Sequence, residues 1–152
     1  MYTYPYEMMS CSIDCIVIKE NEDPQKDEIL LIRRKSEPFK DCWALVGGFI
    51  EINEKVEDAF KREVKEEINL DITEDTPYEF INFIDTPNRD PRQRTISFLF
   101  DVKVDEETAK PIKAGDDAAE YKFVSIYDVI NRKIPLAFDH QEILDKYFGG
   151  YV

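Results

Sequence analysis

The stretch that decides the fold is residues 47–70, which read GGFIEINEKVEDAFKREVKEEINL. Its apolar residues recur at helical spacing, and at about 100° per residue they form one broad arc. The arc consists of Val56, Ala59, Phe60, Val64 and Ile68. We therefore predict a helix over residues 53–68, with Asn53 as its N-cap and with Asn69 in the left-handed conformation that ends it.

Three glutamates make this helix unusual. Glu63 and Glu67 project near the middle of the apolar arc, about 40° apart on the helical wheel, and Glu66 lies at its edge. All three lie in the last turns, where the helix dipole disfavours anions. One interpretation is a solvated acidic helix that pairs with neighbouring cations, such as Arg62 with Glu66. The other is a binding site for a hard dication, because Mg²⁺ and Mn²⁺ prefer oxygen ligands.

The spacing of the surrounding residues favours the second interpretation. Gly48 is followed after five residues by Glu54, after seven more by Arg62-Glu63-Val64, and then by Glu66-Glu67 and Asn69-Leu70. This resembles the Nudix box, G-x5-E-x7-R-E-U-x-E-E-x-G-U, in which U is aliphatic. Asn69 replaces the last glycine, which is a mild departure because asparagine also tolerates the left-handed conformation.

The resemblance implies a fold and a reaction. The fold is of the α/β (α+β) class, an αβα sandwich in which a mixed β-sheet is flanked by helices, and we expect one domain over residues 1–152. The reaction is hydrolysis of a nucleoside diphosphate linked to another moiety, with Mg²⁺ or Mn²⁺ as the cofactor. Such ions neutralise the pyrophosphate and lower the pKa of the attacking water.

The resemblance also implies roles for individual residues of the box. Glu63 and Glu67 would be the primary metal ligands and Glu66 a secondary one, and Gly48 would supply a backbone carbonyl. Glu66, Glu67 and Arg62 are the candidate catalytic residues of the box, with Arg62 orienting a carboxylate. Glu54 would brace the turn before the helix, and Gly47 would let the backbone approach the metals closely.

Outside the box, many strands are separated by few helices, which also suggests a mixed sheet flanked by helices. We predict strands over residues 11–19, 28–34, 79–85, 95–104 and 121–124, a short apolar run over 43–46, and helices over 126–131 and 139–148.

Several outer segments narrow the resemblance to one branch. Together with residues 43–51, the segments 91–98, 114–120 and 136–140 are similar to bacterial ADP-ribose pyrophosphatases. This branch implies hydrolysis of ADP-ribose to AMP and ribose 5-phosphate, and a homodimer is common in it. The alternatives are a Nudix hydrolase of NADH or a nucleoside triphosphate, and a non-catalytic regulator that senses ADP-ribose.

An acidic loop before the last strand supplies further candidates. Glu120 is our choice for the general base, and Asp117 is a candidate for substrate binding, while Asp116 lies beside it. The competing interpretation is a turn capped by aspartate, which is common for Gly-Asp sequences.

Basic and aromatic residues supply the remaining candidates. Arg92 and Arg94, with Arg89 close by, suit a phosphate clamp, although surface pairing with carboxylates is the alternative. Phe39, in the loop over residues 36–41, is a further candidate for substrate binding. His140 either contacts substrate or is an ordinary residue of a first helical turn.

Composition limits the partners. The chain has 33 acidic and 20 basic residues, a formal net charge of −13, which opposes binding to nucleic acids or anionic membranes. A small nucleotide would also be repelled unless a bound cation reverses the local sign. Three cysteines without dense spacing, and the lack of a signal peptide or a membrane span, predict a cytoplasmic protein.

Overall fold

Among residues 3–115 and 117–150, which are those that this computed structural model describes, seven strands form one mixed sheet. The strands are β1 (Ser10–Lys19), β2 (Glu28–Arg34), β3 (Trp43–Ala44), β4 (Val46–Phe49), β5 (Tyr78–Ile84), β6 (Thr95–Val104) and β7 (Ala118–Ser125). The helices are α1 (Val56–Ile68), α2 (Ile126–Ile130) and α3 (His140–Gly149), with a short 3-10 helix at Pro24–Lys26. None of the helices in these ranges is long and apolar enough to cross a membrane.

The sheet follows the order β3-β2-β1-β6-β5, with β4 paired to β1 and β7 paired to β2. Strands β1 and β6 run parallel, whereas the other pairs are antiparallel. The register of β4 places Gly47 opposite Asp14 and Gly48 opposite Ile13. The two glycines therefore lie in the sheet, beside the central strand.

Alternation along β1 divides the core into two layers. Ile13, Cys15 and Val17 belong to the cluster packed against α1, and Ile16 and Ile18 belong to the cluster that α2 and α3 cover. Successive side chains of a strand point to opposite faces, so the largely apolar stretch from Ile13 to Ile18 is buried on both sides of the sheet. The predicted αβα sandwich with a mixed sheet is confirmed.

The predicted start of α1 is wrong, and its predicted end is confirmed. The helix begins at Val56, and Lys55 rather than Asn53 occupies the N-cap position, without a side-chain cap. The preceding residues form a turn instead, because the Glu54 side chain accepts a hydrogen bond from the backbone N–H of Glu51 at 2.8 Å. Asn69 ends the helix with a φ of 58°, in the left-handed region.

Two other segments differ from the prediction by more than one residue. The apolar run at residues 43–46 divides into β3 and β4, and β4 continues through both glycines to Phe49. Strand β7 begins at Ala118, earlier than the predicted 121, because its first residues pair with the end of β2. Glu120 consequently lies on a strand opposite Arg33 and not in a loop.

Candidate active site

Glu67 is a buried carboxylate at the C-terminal end of α1, with only 7% of its surface exposed. Its Oε2 accepts a hydrogen bond from the backbone N–H of Gly47 at 2.9 Å. Burial raises the pKa of Glu67 to about 8; the Gly47 hydrogen bond opposes this, and the carboxylates of Glu63 and Asp117 add to it. The charge of Arg34 also lowers this pKa, but less than burial raises it, so a negative charge on Glu67 is only partly compensated.

The glycines of β4 allow α1 to lie directly against the sheet. A Cβ on Gly48 would lie 2.4 Å from Cδ of Glu63, and a Cβ on Gly47 would lie 2.0 Å from the carbonyl oxygen of Ile13. Neither distance is compatible with a side chain in the present arrangement. Close approach therefore requires both glycines, one against a carboxylate and the other against backbone.

Arg62 connects the turn before α1 with the glutamates on it. Its Nε donates to Glu54 at 2.9 Å, and its Nη1 donates to Glu63 at 2.8 Å and to Glu66 at 3.1 Å. Its Nη2 donates to the carbonyl oxygen of Phe49 at 3.0 Å. The hydrogen bond from Arg62 lowers the pKa of Glu54 to about 2. Arg62 thereby orients carboxylates, as its place in the box implies.

A pocket lined by Glu63, Glu66, Glu67 and Asp117 is the candidate metal site. All four supply carboxylate oxygens, which are the donors that Mg²⁺ and Mn²⁺ prefer, so the residues present fit such an ion. In the described part of the chain, no three acidic, histidine or cysteine side chains are already arranged around a metal position. Glu63 and Glu66 are instead bonded to Arg62.

Beside this pocket lies a cleft of about 290 Å³, near the lower end of the roughly 300–1,000 Å³ typical of ligand pockets. It brings residues of the box together with residues from distant segments. Its lining includes Asp14, Arg34, Gly47, Gly48, Phe49, Glu63, Glu67, Arg89, Arg92, Asp117, Phe138 and His140. Phe39 contacts Phe138, with 4.7 Å between the ring centroids.

Two predicted site residues lie elsewhere. Glu120 accepts a hydrogen bond from Nε of Arg33 at 3.0 Å and does not line the cleft. Arg94 donates to the carbonyl oxygen of Asp85 at 2.6 Å and does not line it either. Glu120 thus forms an ion pair with Arg33, Arg94 is bonded to the backbone of Asp85, and Asp116 lies outside the described residues.

The floor of the cleft contains a polar network that the sequence analysis missed. Buried Asp14 accepts hydrogen bonds from Oγ of Ser97 at 2.6 Å and from Nη2 of Arg89 at 3.2 Å, and its Oδ1 lies 3.2 Å from Nε2 of His140. Nδ1 of His140 accepts the backbone N–H of Leu45 at 3.1 Å. The signal for this network was Asp14 itself, an acidic residue within the apolar stretch Ile13–Ile18 of β1.

The charge of Asp14 depends on that network. Burial alone would raise the pKa of Asp14, but His140, Arg89 and the Ser97 hydroxyl lower it further than burial raises it. Arg89 also makes two hydrogen bonds to Asp139, at 2.9 and 2.8 Å. The network thus ties β1, the loop before β6 and the start of α3 together beneath the cleft.

Comparison with known proteins identifies the class to which this fold and site belong. Residues 12–147 match the family model described as NUDIX domain. The chain belongs to the Nudix family. It is also 39% identical, over 147 residues, to a protein of Methanocaldococcus jannaschii named ADP-ribose pyrophosphatase, covering 97% of this chain and 75% of that relative. The chain is accordingly a Nudix pyrophosphohydrolase.

Solved structures agree with this placement. A MutT/nudix family protein from Enterococcus faecalis superimposes with a TM-score of 0.80 at 30% identity, over 99% of this chain and 64% of that chain. A bifunctional NMN adenylyltransferase/ADP ribose pyrophosphatase from Francisella tularensis, complexed with AMP and a Mn ion, gives a TM-score of 0.80 at 29% identity, over 98% and 44%. The chain thus spans less than two thirds of either protein. Because the Methanocaldococcus relative is archaeal, the bacterial placement stays a prediction.

Proposed function

We propose that this protein hydrolyses ADP-ribose to AMP and ribose 5-phosphate, with Mg²⁺ or Mn²⁺ as the cofactor. The observation that carries the proposal is buried Glu67, held by Gly47 at the junction of a carboxylate pocket and a ligand-sized cleft. Support for the substrate comes from the relative named ADP-ribose pyrophosphatase, which matches 97% of this chain. A homodimer and a cytoplasmic location stay predictions.

The metal would be held by glutamates of α1 and by a backbone carbonyl of the neighbouring strand β4. We assign Glu63 and Glu67 as primary ligands, Glu66 as a secondary ligand and the carbonyl of Gly48 as a further one. A divalent ion bound there supplies charge neutralisation for the pyrophosphate and a lowered pKa for the attacking water. The Mn ion in the similar Francisella tularensis structure supports this choice of cofactor.

The residues of the chain would orient the reactants and move the proton. Arg62 donates hydrogen bonds to both Glu54 and Glu63, and it would thereby fix the orientation of the Glu63 carboxylate in the pocket. For the general base we now favour Asp117 over Glu120, because Asp117 lines both the pocket and the cleft whereas Glu120 pairs with Arg33. A base must lie within hydrogen-bond reach of the water it activates, and of the two only Asp117 lines the pocket where that water would bind.

The same cleft suggests how substrate would bind. Arg92 lines it and carries the positive charge that a diphosphate needs, and Phe39 stands behind Phe138 at its edge. These residues, with Asp117, are our candidates for substrate binding. Arg94 is not among them, since its guanidinium is bonded to the backbone outside the cleft.

The test is a substrate panel with a matched pair of variants. Purified protein is incubated with ADP-ribose, NADH and nucleoside triphosphates in EDTA, Mg²⁺ or Mn²⁺, and products are separated by chromatography. Glu67→Gln should abolish turnover, whereas Glu57→Gln, an exposed glutamate of the same helix that contacts Tyr78, should not. Metal-dependent release of AMP and ribose 5-phosphate from ADP-ribose, lost only in the first variant, is the expected result.

Other outcomes would redirect the proposal. Turnover of NADH or a nucleoside triphosphate in place of ADP-ribose would keep the site and change the substrate. Binding of ADP-ribose without turnover of any compound would reject hydrolysis and favour an ADP-ribose sensor. Turnover that survives in Glu67→Gln would reject the assignment of the metal site.

A further inference from the structure

Two phenylalanines at the edge of the cleft have a backbone conformation that bulky residues rarely adopt. Phe39 has a φ of 60° and Phe138 has a φ of 52°, although they belong to different loops. Their rings touch, with 4.7 Å between centroids. A glycine would adopt this conformation at lower cost, and strained non-glycine residues cluster at ligand sites. The rings themselves therefore have a use in this position.

The ring of Phe138 carries two guanidinium groups. Cζ of Arg34 lies 4.9 Å and Cζ of Arg92 lies 5.7 Å from its centroid. Arg92 also lies over the ring of Phe49, at 4.8 Å. Stacking of this kind holds a cation by the negative face of the ring and leaves the edge of the guanidinium available for hydrogen bonds.

The two arginines bring two positive charges close together in an acidic protein, although carboxylates also line the cleft. Both line the cleft, in a chain with a formal net charge of −13. Burial, followed by the nearby charge of Arg92, lowers the pKa of Arg34, so the two cations repel each other; the carboxylates of Glu67 and Asp90 offset part of this lowering. A bound anion would relieve this repulsion.

Each guanidinium is also anchored by hydrogen bonds to the protein, that of Arg92 by Asp90, which itself lines the cleft. Nε of Arg34 donates to the carbonyl oxygen of Pro38 at 2.8 Å, and Nε and Nη2 of Arg92 donate to Asp90 at 3.0 and 2.8 Å. A guanidinium has five N–H donors, more than these bonds use. The anchoring fixes the direction of the groups, and the fork of an arginine matches the oxygens of a phosphoryl group.

We propose that Arg34 and Arg92, stacked on Phe138, form a binding subsite for one phosphoryl group of the substrate, with Phe138 as the positioning residue. The inference rests on the proposed function only in that ADP-ribose supplies the phosphoryl group. Binding at the subsite requires neither metal nor turnover. The AMP half and the ribose 5-phosphate half of the substrate both carry such a group, and the two products distinguish them.

The test measures binding in EDTA by titration calorimetry, with AMP, ribose 5-phosphate and adenosine as probes. Phe138→Leu removes the ring, and we expect it to weaken binding of one of the two phosphates by about tenfold, the order of one charge-assisted hydrogen bond. Phe138→Tyr keeps the ring and should bind like the wild type. Adenosine, which has no phosphate, should bind equally to all three proteins. The phosphate that weakens identifies the half that occupies the subsite.

Matched controls separate positioning from folding. Phe83→Leu removes an exposed ring of β5 that does not line the cleft, and it should leave all affinities unchanged. Arg92→Lys should weaken the same phosphate as Phe138→Leu, while Arg94→Lys, outside the cleft, should not. In turnover assays Phe138→Leu should raise KM more than it lowers kcat. If Phe138→Leu fails to fold, Arg34→Lys and Arg92→Lys carry the test alone.

Two results would overturn the inference. The first is unchanged affinity of both phosphates for Phe138→Leu, or for both lysine variants. The second is an equal loss of adenosine binding, because the ring would then hold the base and not the phosphoryl group. Failure to hydrolyse ADP-ribose, with the expected loss of phosphate binding intact, would reject the proposed function and leave this subsite standing.

Discussion

Replacing Gly48 with alanine should damage the active site while leaving the fold intact, whereas the same change at Gly47 should destabilise the fold. Both glycines lie in β4, next to each other, and neither has a positive φ. They differ in what an added Cβ would meet. At Gly48 it is the end of the Glu63 side chain, and at Gly47 it is the backbone of Ile13 on the neighbouring strand.

The magnitudes follow from these distances. In Gly48→Ala the Glu63 carboxyl carbon, 2.4 Å from the new Cβ, must retreat about 1 Å to reach the ordinary contact distance of 3.4 Å. A displacement of about 1 Å at a catalytic group can lower kcat by about 100-fold. The cost in stability should stay within about 1 kcal/mol, because alanine also restricts the unfolded chain. For a domain of this size, that corresponds to about 2–4 °C in Tm.

Gly47→Ala should be costly for the fold. Its Cβ would lie 2.0 Å from a carbonyl oxygen in the centre of the sheet, where neither strand moves freely. Overpacking of this kind costs about 1–3 kcal/mol or more, so Tm should fall by several degrees.

The assay compares Tm in EDTA with kcat for ADP-ribose at saturating Mn²⁺ for both variants. Wild-type kcat and metal dependence in Gly48→Ala would refute the role of Glu63, and unchanged Tm in Gly47→Ala would refute the close strand contact.

Three further predictions concern charged groups of the site. In EDTA, the free energy of unfolding should fall as pH rises from about 4.5 to 8, because the folded protein keeps a proton on Glu67 that the unfolded chain has released. Thermal unfolding measured across this pH range checks the prediction, and Glu67→Gln should make Tm less dependent on pH. Asp14→Asn should lower the free energy of unfolding at pH 7 by about 3 kcal/mol, measured in urea, because it leaves Arg89 with a broken buried pair. Since the pKa of Asp14 is lowered below 3.8, this difference should persist above pH 4 and disappear as pH falls through the folded-state pKa. Arg62→Lys should lower kcat by about tenfold with little change in KM, because an ammonium cannot hold Glu54 and Glu63 together; steady-state kinetics would contradict this if kcat were unchanged.

The parts of the site that lie on α1 were predictable, because they break the rules of their own element. Glu67 interrupts an apolar arc, and the structure buries it. Asn69 follows the last periodic residue and has the left-handed conformation that such a position requires. Helical periodicity extends over many residues. An error in one predicted boundary, such as a start at residue 53 where the helix begins at Val56, therefore does not change which face of the helix each side chain occupies.

The acidic loop was harder to interpret, because its geometry depends on pairing with a remote strand. Glu120 and Asp117 are both acidic residues of the same short segment, so the sequence does not distinguish their roles. In the structure β7 pairs with β2, and this pairing places Glu120 beside Arg33. Gly115 donates its N–H to the carbonyl oxygen of Glu67 at 2.7 Å, which holds the loop against the end of α1. The local sequence does not indicate this contact, because a glycine followed by aspartate is equally typical of an ordinary turn.

In the cation-bearing wall of the cleft, Arg92 was predicted from the sequence, but Arg34 and Phe138 could not be predicted, and the reason is physical. Arg34 ends a strand, as arginines commonly do, and Phe138 lies between an apolar stretch and a helix start. Neither breaks a rule that sequence can reveal, because the strain at Phe138 exists only in the folded backbone. The contact between Arg34 and Phe138 depends on two pairings: β3 pairs with β2, and Trp43 of β3 pairs with Leu136 of the segment before α3. A functional residue can be recognised in the sequence when its type departs from the pattern of its own helix or strand. A residue whose position is determined by contacts with another element can be recognised only in the structure.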